Sequence, residues 1–194
     1  AGMYWLCRRF MGHMAAWSAG LTFGLSGFFM GRLWQGHIDI LSSAPFVPIV
    51  IGCIWNALSR KTSKYIVIAA GAYALQMYAG YQTMAYFTAW AIGIITLLWC
   101  IKEKSIKPIV VVAIIMLVSG GLAALQIVPA QEFFQRSIRT NSLPYSWVLK
   151  GSYTIQNLKQ LVSPFVLGGP DNYSGPGPNY GELAAYIGVI PILL

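Results

Sequence analysis

The sequence predicts an all-α protein, a polytopic bundle of transmembrane helices, and three observations lead to this fold class. Hydrophobic residues make up 57% of the 194 and charged residues only 9%, whereas a soluble domain carries about 25% charged residues. Apolar runs recur that are close to the ~20 residues a helix needs to cross a bilayer. The basic residues, which give a net charge of +8, lie in short clusters between these runs. This distribution is typical of the positive-inside rule and does not indicate a nucleic-acid partner.

The apolar runs between the clusters predict where the helices lie. They cover residues 1–7 (the end of an earlier helix), 14–33, 40–58, 65–80, 83–101 and 108–129, and a further helix begins within 182–194. Pro45 and Pro48 fall in the first turns of the 40–58 helix, where a missing N–H donor costs least. Because both ends of the chain fall at apolar runs, we expect the sequence to be an internal piece of a longer protein.

The run 65–101 contains no charged residue over 37 positions. A single helix of that length would measure about 55 Å, too long for one crossing of ~30 Å of hydrocarbon. Gly80, Tyr81 and Gln82 lie near its midpoint and offer a turn. We therefore predict two spans, 65–80 and 83–101, joined at Gly80.

Alternation of the spans assigns a side of the membrane to every loop. Eight basic residues fall on one side: Arg8, Arg9, Arg60, Lys61, Lys64, Lys102, Lys104 and Lys107. Five fall on the other: Arg32, Arg136, Arg139, Lys150 and Lys159. The side with more basic residues is expected to be cytoplasmic, so the loops 34–39, 80–82 and 130–181 face outward.

The long outer loop 130–181 is predicted to carry one short amphipathic helix, over Thr154 to Ser163. Thr154 can act as its N-cap, and Pro164 ends the pattern. Four apolar residues recur at helical spacing: Ile155, Leu158, Leu161 and Val162. We expect this helix to lie on the membrane surface. The segment 168–181, rich in glycine and proline, predicts turns and coil.

The outer turn between the 14–33 and 40–58 helices contains His37 and Asp39. A carboxylate and an imidazole two residues apart could bind a divalent cation such as Mg²⁺ or Mn²⁺. Alternatively, Asp39 could act as a base while His37 contacts a phosphate. A structural interpretation is also open, in which Asp39 caps the next helix and Arg32 extends to the membrane interface.

Other polar residues near the outer surface are candidates for binding a substrate. Gln82 could hydrogen-bond a sugar hydroxyl or simply form part of the turn. Glu132 and Arg136 lie one helical turn apart and could pair, or Arg136 and Arg139 could hold a phosphate.

Tyr180 and Glu182 lie where the last outer loop meets the next apolar helix. A carboxylate is favoured at a helix N-terminus, so Glu182 could cap that helix. The pair could equally contact a substrate. Among the glycines, Gly20, Gly24, Gly27 and Gly31 recur at three- or four-residue spacing, which favours close helix packing.

Several short segments, taken in order, carry a family resemblance. They are Met3-Tyr4…Arg8-Arg9, Gly24-Leu25-Ser26-Gly27…Gly31-Arg32…Gly36-His37, Pro48, Ala79-Gly80-Tyr81-Gln82-Thr83, Gly121-Leu122…Gln126…Pro129-Ala130 and Glu182…Tyr186-Ile187-Gly188. In these segments the chain resembles the YfhO-like bacterial membrane proteins, which belong to the GT-C superfamily of membrane glycosyltransferases.

The resemblance implies a GT-C-like bundle in the bacterial cytoplasmic membrane. It also implies transfer of a sugar from a polyprenyl-phosphate donor to an extracytoplasmic acceptor, a cell-envelope polymer or a lipid. The principal catalytic acid of such enzymes is expected upstream of residue 1. Asp39 and His37 fall where some GT-C enzymes carry a second acidic site, and Arg136 and Arg139 are expected to hold the donor phosphate. Gln82, Glu132, Tyr180 and Glu182 would complete the substrate site.

Two other classes remain open on the sequence. A transporter or flippase would usually place ionisable groups at mid-membrane, near broken helices, and the predicted span centres lack Asp, Glu, Lys and Arg. The third class is a non-catalytic envelope-assembly protein. In each case the expected partner is membrane lipid, and for the enzyme it is also a polyprenyl-phosphate-linked sugar.

Overall fold

The computed structural model describes residues 1–137, 144–184 and 186–187. Across them the regular structure is helical, and apart from one isolated bridge between Val166 and Gly168 there is no β-structure in these ranges. The predicted all-α class is therefore confirmed. The α-helices are α1 (Gly2–Cys7), α2 (His13–Gly24), α3 (Gly27–Trp34), α4 (Ile38–Ser43), α5 (Phe46–Arg60), α6 (Ser63–Tyr78), α7 (Gln82–Glu103), α8 (Lys107–Leu122), α9 (Ala124–Gln135), α10 (Tyr145–Val148) and α11 (Tyr180–Leu183).

The core lies between α5, α6, α7 and α8. Small residues on α6, such as Ala69 and Ala70, are buried there and let the neighbouring backbones approach closely. Larger side chains fill the space between them; those at most 2% exposed are Val50, Cys53, Ile54, Tyr73, Ile92 and Ile115.

Within the described ranges, two helical segments are long and apolar enough to cross a membrane, Ile38–Arg60 and Gln82–Glu103. A third is added if the bent pair α8–α9 counts as one span. In the first of these the turn between α4 and α5 keeps helical dihedral angles at Ala44 and Pro45. Its hydrogen bonds are interrupted there because Pro45 and Pro48 have no N–H to donate.

The prediction of one continuous helix over 14–33 is wrong. The chain breaks between α2 and α3 at Leu25 and Ser26, where Ser26 is extended with φ −62° and ψ 154°. The Ser26 hydroxyl donates to the Phe23 carbonyl at 3.0 Å. Gly24 and Gly27 flank the break, and both have low helix propensity.

The helix break expected at Gly80 is present. Helix α6 ends at Tyr78 and α7 begins at Gln82, and Gly80 adopts a left-handed φ of +97°. Residues with a Cβ rarely adopt that conformation, so glycine at this position supports a tight reversal between α6 and α7.

The helix expected over 108–129 is bent rather than straight, with 72° between α8 and α9. The Tyr78 hydroxyl donates to the Leu122 carbonyl at 2.7 Å. In a regular α-helix the Leu122 carbonyl would accept from the Gln126 N–H. That N–H donates to the Ala123 carbonyl at 2.9 Å, so the i→i−4 ladder is broken at this point. Pro129 lies inside α9, beyond the bend.

The amphipathic α-helix expected over 154–163 is a 3₁₀ helix over Ile155–Leu161. Its polar residues Asn157 and Gln160 are buried, whereas Ile155 is 85% exposed. Asn157 explains this inversion because its carbonyl oxygen accepts from the Thr154 N–H at 2.9 Å and its amide donates to the Tyr173 hydroxyl at 2.9 Å. The outer segment therefore folds around a polar side chain and leaves aliphatic side chains outside.

Candidate functional site

The candidate site lies at the end of the bundle where α3, α4, the Gly80 turn and the segment 179–186 meet. Gly27 donates its N–H to the Tyr186 carbonyl at 2.6 Å. A Cβ on Gly31 would lie 3.1 Å from the Gly181 carbonyl oxygen. The close packing expected of these glycines is thus made with the segment 181–186, while a Cβ on Gly24 would meet nothing within 4 Å.

An ion pair joins Arg32 to Glu182 across this contact. Arg32 Nη1 lies 2.8 Å from Glu182 Oε2, and only 11% of the Arg32 side chain is exposed. Arg32 Nη2 also donates to the Glu182 backbone carbonyl at 3.1 Å. The charge of Arg32 is therefore balanced by a carboxylate far along the chain, a pairing that the sequence did not predict.

Gln35 and Asn179 form a second link beside this ion pair. Gln35 donates its side-chain N–H to Asn179 Oδ1 at 2.5 Å. The same oxygen accepts from the Glu182 N–H at 2.9 Å, so Asn179 is the N-cap of α11. Glu182 does not cap that helix but lies in its first turn, where the helix dipole favours an anion. Gln35 Oε1 is buried without a partner.

His37 and Asp39 lie at the start of α4, where His37 is the N-cap residue and makes no side-chain cap bond. His37 is half-buried and Asp39 is exposed in the first turn. Asp39 Cβ lies 3.9 Å from the position that a Cβ on Gly80 would occupy. The two predicted outer turns, 34–39 and 80–82, are therefore neighbours.

A divalent cation at this site would depend on ligands beyond the protein side chains. The described ranges contain no group of three or more His, Cys, Asp or Glu residues that could hold a metal ion. Asp39 and His37 could supply two ligands at most. Mg²⁺ is commonly bound by one or two carboxylates together with water and substrate phosphates, so the residues present suit a cation that arrives with a phosphate.

Gln82 and Tyr180 are engaged within the fold. Gln82 donates to the Met77 carbonyl at 3.4 Å, across the turn, although its side chain is exposed. The Tyr180 ring stacks on Phe165 with 5.9 Å between centroids and meets the edge of Tyr173. Burial raises the pKa of the Tyr180 phenol, which indicates that this ring belongs to the core of the outer segment.

Glu132 and Arg136 are not brought to the Arg32–Glu182 contact. None of the 12 residues of α9 is buried, because the bend after α8 turns this helix away from the core. Both side chains are exposed, and no ion pair joins them in the part of the chain that the structure describes. Arg139, the second predicted phosphate ligand, lies outside the described residues.

A buried polar cluster, which the sequence did not predict, lies beneath Asp39. Ser43 is one helical turn after Asp39, and its hydroxyl donates to the Gln76 carbonyl at 3.3 Å. Gln76 in turn donates its side-chain amide to Thr88 Oγ1 at 2.9 Å. All three are at most 1% exposed. The one available signal was Gln76, a glutamine away from the turn in the long charge-free run, since a buried amide needs partners.

No protein-family model matches this sequence, and neither a curated protein nor a solved structure matches it. The resemblance to the YfhO-like proteins therefore rests on the motifs quoted above.

Proposed function

We propose that this chain is part of a GT-C-type, YfhO-like membrane glycosyltransferase of the bacterial cytoplasmic membrane. It would move a sugar from a polyprenyl-phosphate donor to an extracytoplasmic acceptor. The observation that supports this best is the position of Asp39. It is an exposed carboxylate with no ion pair in the described chain, beside a second turn and above a cluster of polar side chains.

The membrane part of the proposal is supported by the outward face of the helices. Helix α7 carries a row of large apolar residues with 58% to 62% of each exposed: Phe87, Trp90, Ile94, Leu97 and Leu98. Such a surface is stable against lipid and unfavourable against water. Helix α6, with 16 residues, is about 24 Å long, and we include it as a short span because it packs inside the core.

The proposed sugar transfer would give a role to the polar side chains of the site. The acceptor hydroxyl attacks the anomeric carbon, its proton passes to a carboxylate, and the donor phosphate departs with the bonding electrons. Asp39 would take that proton or hold the divalent cation, with His37 beside it. The cation and the arginines Arg136 and Arg139 would balance the phosphate charge.

We assign some residues of the site to positioning the outer segment and others to binding the substrate. Because Arg32 and Glu182 neutralise each other, we assign them to holding the outer segment on α3. Gln82 keeps an exposed amide for a sugar hydroxyl. Glu132 stays a candidate for the acceptor side because it is exposed on α9.

The test is Asp39→Asn in the intact protein, assayed in membranes with a radiolabelled polyprenyl-phosphate sugar. Loss of a catalytic base or a metal ligand should lower transfer by about 100-fold or more. The matched control is Asp171→Asn, which removes an exposed carboxylate from the turn 170–172 of the outer segment. Equal transfer by the two variants would exclude Asp39 from the site.

The transporter or flippase alternative is separated by a second measurement. Fluorescent polyprenyl phosphate is reconstituted with the protein in proteoliposomes, and its movement between leaflets is followed without any sugar acceptor. Protein-dependent movement with no sugar transfer would favour the flippase. Absence of both activities, from protein that keeps its fold, would favour a non-catalytic assembly role.

A further inference from the structure

A cavity of about 260 Å³ lies at the opposite end of the bundle from Asp39. It opens where α5 and α7 end and α6 and α8 begin. Its polar wall consists of Lys61, Ser63, Glu103 and Lys107, and its inner wall includes Ile66 and Val111. Two of the three basic clusters of the predicted cytoplasmic side, 60–64 and 102–107, therefore contribute to one cavity.

The charges on the wall leave positive potential unbalanced. Lys61 Nζ lies 3.8 Å from Glu103 Oε1, with 75% of the lysine side chain exposed, so this is a weak, solvated contact. Lys107 has no ion-pair partner among the residues the structure describes. One carboxylate thus faces two ammonium groups, and an anion entering the cavity would be attracted by both.

The backbone around the cavity adds to this potential. Helix α6 begins here with neither a side-chain cap bond nor an acidic residue in its first turn. The start of α8 adds nothing comparable, because the Lys107 N–H donates to Ser105 Oγ at 3.2 Å and Pro108 has no N–H. The first N–H groups of a helix carry partial positive charge and are ready to bind an anion. These N–H groups add to the positive potential of the lysines, which are the main anion-binding groups of the site.

An unusual backbone conformation occurs at this end of the molecule. Lys61 and Lys104 have φ of 52° and 49°, and across the described ranges no other residue except glycine has a positive φ. Glycine normally occupies such a position after a helix. Of these two lysines, Lys61 lines the cavity, and it keeps a side chain there against its conformational preference, as expected where the side chain is needed.

The polar wall and the apolar inner wall of the cavity suit a molecule with a charged headgroup and an apolar chain. Ile66 lies three residues after Ser63 and Val111 four residues after Lys107, so each apolar residue is one helical turn deeper than a polar one. A phosphate would meet Lys61, Ser63 and Lys107, while the first carbons of an attached chain would meet Ile66 and Val111.

We propose that this cavity binds the phosphate group of an anionic phospholipid of the cytoplasmic leaflet. The site is independent of the proposed sugar transfer and lies at the other end of the bundle. Anionic headgroups are attracted to clustered lysines close to the membrane surface. The cavity would hold the headgroup at one position, because it adds hydrogen-bond donors and an apolar wall to the attraction of the lysines.

The experiment compares two double variants of the detergent-solubilised intact protein. Lys61→Gln with Lys107→Gln removes both lysines of the cavity. Lys64→Gln with Lys104→Gln removes the same charge from the same bends but outside the cavity. Binding of phosphatidylglycerol is measured by native mass spectrometry, and the unfolding temperature of each lipid-free variant is recorded.

We expect the cavity variant to bind phosphatidylglycerol about tenfold more weakly, and the control variant to bind within a factor of two of the wild type. Glu103→Gln should bind more tightly than the wild type because the competing carboxylate is gone. Equal weakening by both double variants would overturn the site, because the total charge of the bends would then explain binding. Weakening by neither variant would also overturn it, because the lysines of the cavity would then not contribute.

A second arm distinguishes a lipid from a free phosphate. Inorganic phosphate is titrated against the bound phosphatidylglycerol. We expect no displacement at millimolar phosphate, because the apolar wall contributes only to the lipid. Displacement at that concentration would indicate that the cavity binds a soluble phosphate compound, and it would overturn the proposal of a lipid ligand.

Discussion

The two ends of the helical bundle, called outer and inner after the predicted topology, hold their charges in different ways. At the outer end, Arg32 and Glu182 lie 2.8 Å apart and the arginine side chain is 11% exposed. At the inner end, Lys61 and Glu103 are 3.8 Å apart and the lysine side chain is 75% exposed. The outer pair closes a contact between residues 150 positions apart in the chain, whereas the inner lysines lie in short local clusters.

This difference indicates that the two ends serve different purposes. A well-buried pair is costly to break, since either partner left alone is a desolvated charge. An exposed lysine cluster contributes little to stability but attracts anions and sets orientation in the membrane. Substitution in the Arg32–Glu182 pair should therefore lower the stability of the fold, and substitution of the inner lysines should weaken ligand binding.

The largest effect is expected from Glu182→Gln, which removes the carboxylate that balances Arg32. Breaking a fully buried pair costs about 3–5 kcal/mol, and because 36% of the Glu182 side chain is exposed, we expect a loss of about 2 kcal/mol. The measurement is denaturant unfolding in detergent micelles.

The matched control for this substitution is Glu132→Gln on α9, where the carboxylate is exposed and forms no ion pair within the described part of the chain. It should change the free energy of unfolding by less than about 0.5 kcal/mol. Equal destabilisation by both variants would mean that the ion pair with Arg32 contributes no more to stability than an exposed, unpaired carboxylate does.

The second prediction concerns the glycine contact beside that ion pair. In Gly27→Ala the new Cβ would lie 2.9 Å from both the backbone nitrogen and the carbonyl oxygen of Tyr186, so the segment 181–186 has to move. We expect a loss of about 1–2 kcal/mol, as for other overpacked sites. Faster proteolysis of the outer segment should accompany the lower unfolding free energy.

Gly24→Ala is the matched control because a Cβ there meets nothing within 4 Å and Gly24 is the last residue of α2. Alanine has the higher helix propensity, so this variant should be neutral or slightly more stable. A Gly27→Ala variant as stable as Gly24→Ala would contradict the packing of 181–186 on α3.

The smallest effect is expected at the inner end, from Lys104→Gly. Lys104 has a φ of 49°, which glycine adopts without strain, so the free energy of unfolding should rise by about 0.5–1 kcal/mol. Lys102→Gly, inside the last turn of α7, should have the opposite sign and lose about 1 kcal/mol. Thermal unfolding of the two variants tests this, and a loss in both would show that the Lys104 side chain contributes more than its strain.

The sequence predicted the helices best where hydropathy and turn residues agreed. The Gly80 turn is an example, since the run 65–101 was too long for one span and a glycine lay at its midpoint. The break at Ser26 was missed because residues 14–33 contain only one charged residue, Arg32, so hydropathy carries no signal there. The bend after Leu122 was missed because it depends on the Tyr78 hydroxyl, which comes from another helix.

The candidate site was predicted in part. The proximity of the turn containing Asp39 to Gly80 follows from alternation, which places both turns on one side. The pairing of Arg32 with Glu182 and of Gln35 with Asn179 was not predictable, because no local pattern links residues so far apart. Glu132 and Arg136 lie one helical turn apart, yet both are exposed, and within the described residues no ion pair joins them.

The sequence by itself determined the all-α class, the alternation of apolar helices with basic bends and the position of the Gly80 turn. These features follow from hydropathy, charge and turn propensity, which act over a few residues at a time. The tertiary structure alone decided which polar groups are buried. Asn157 lies inside the outer segment and Ile155 outside, because the hydrogen bond from Asn157 to the distant Tyr173 outweighs the apolar pattern of the helix itself.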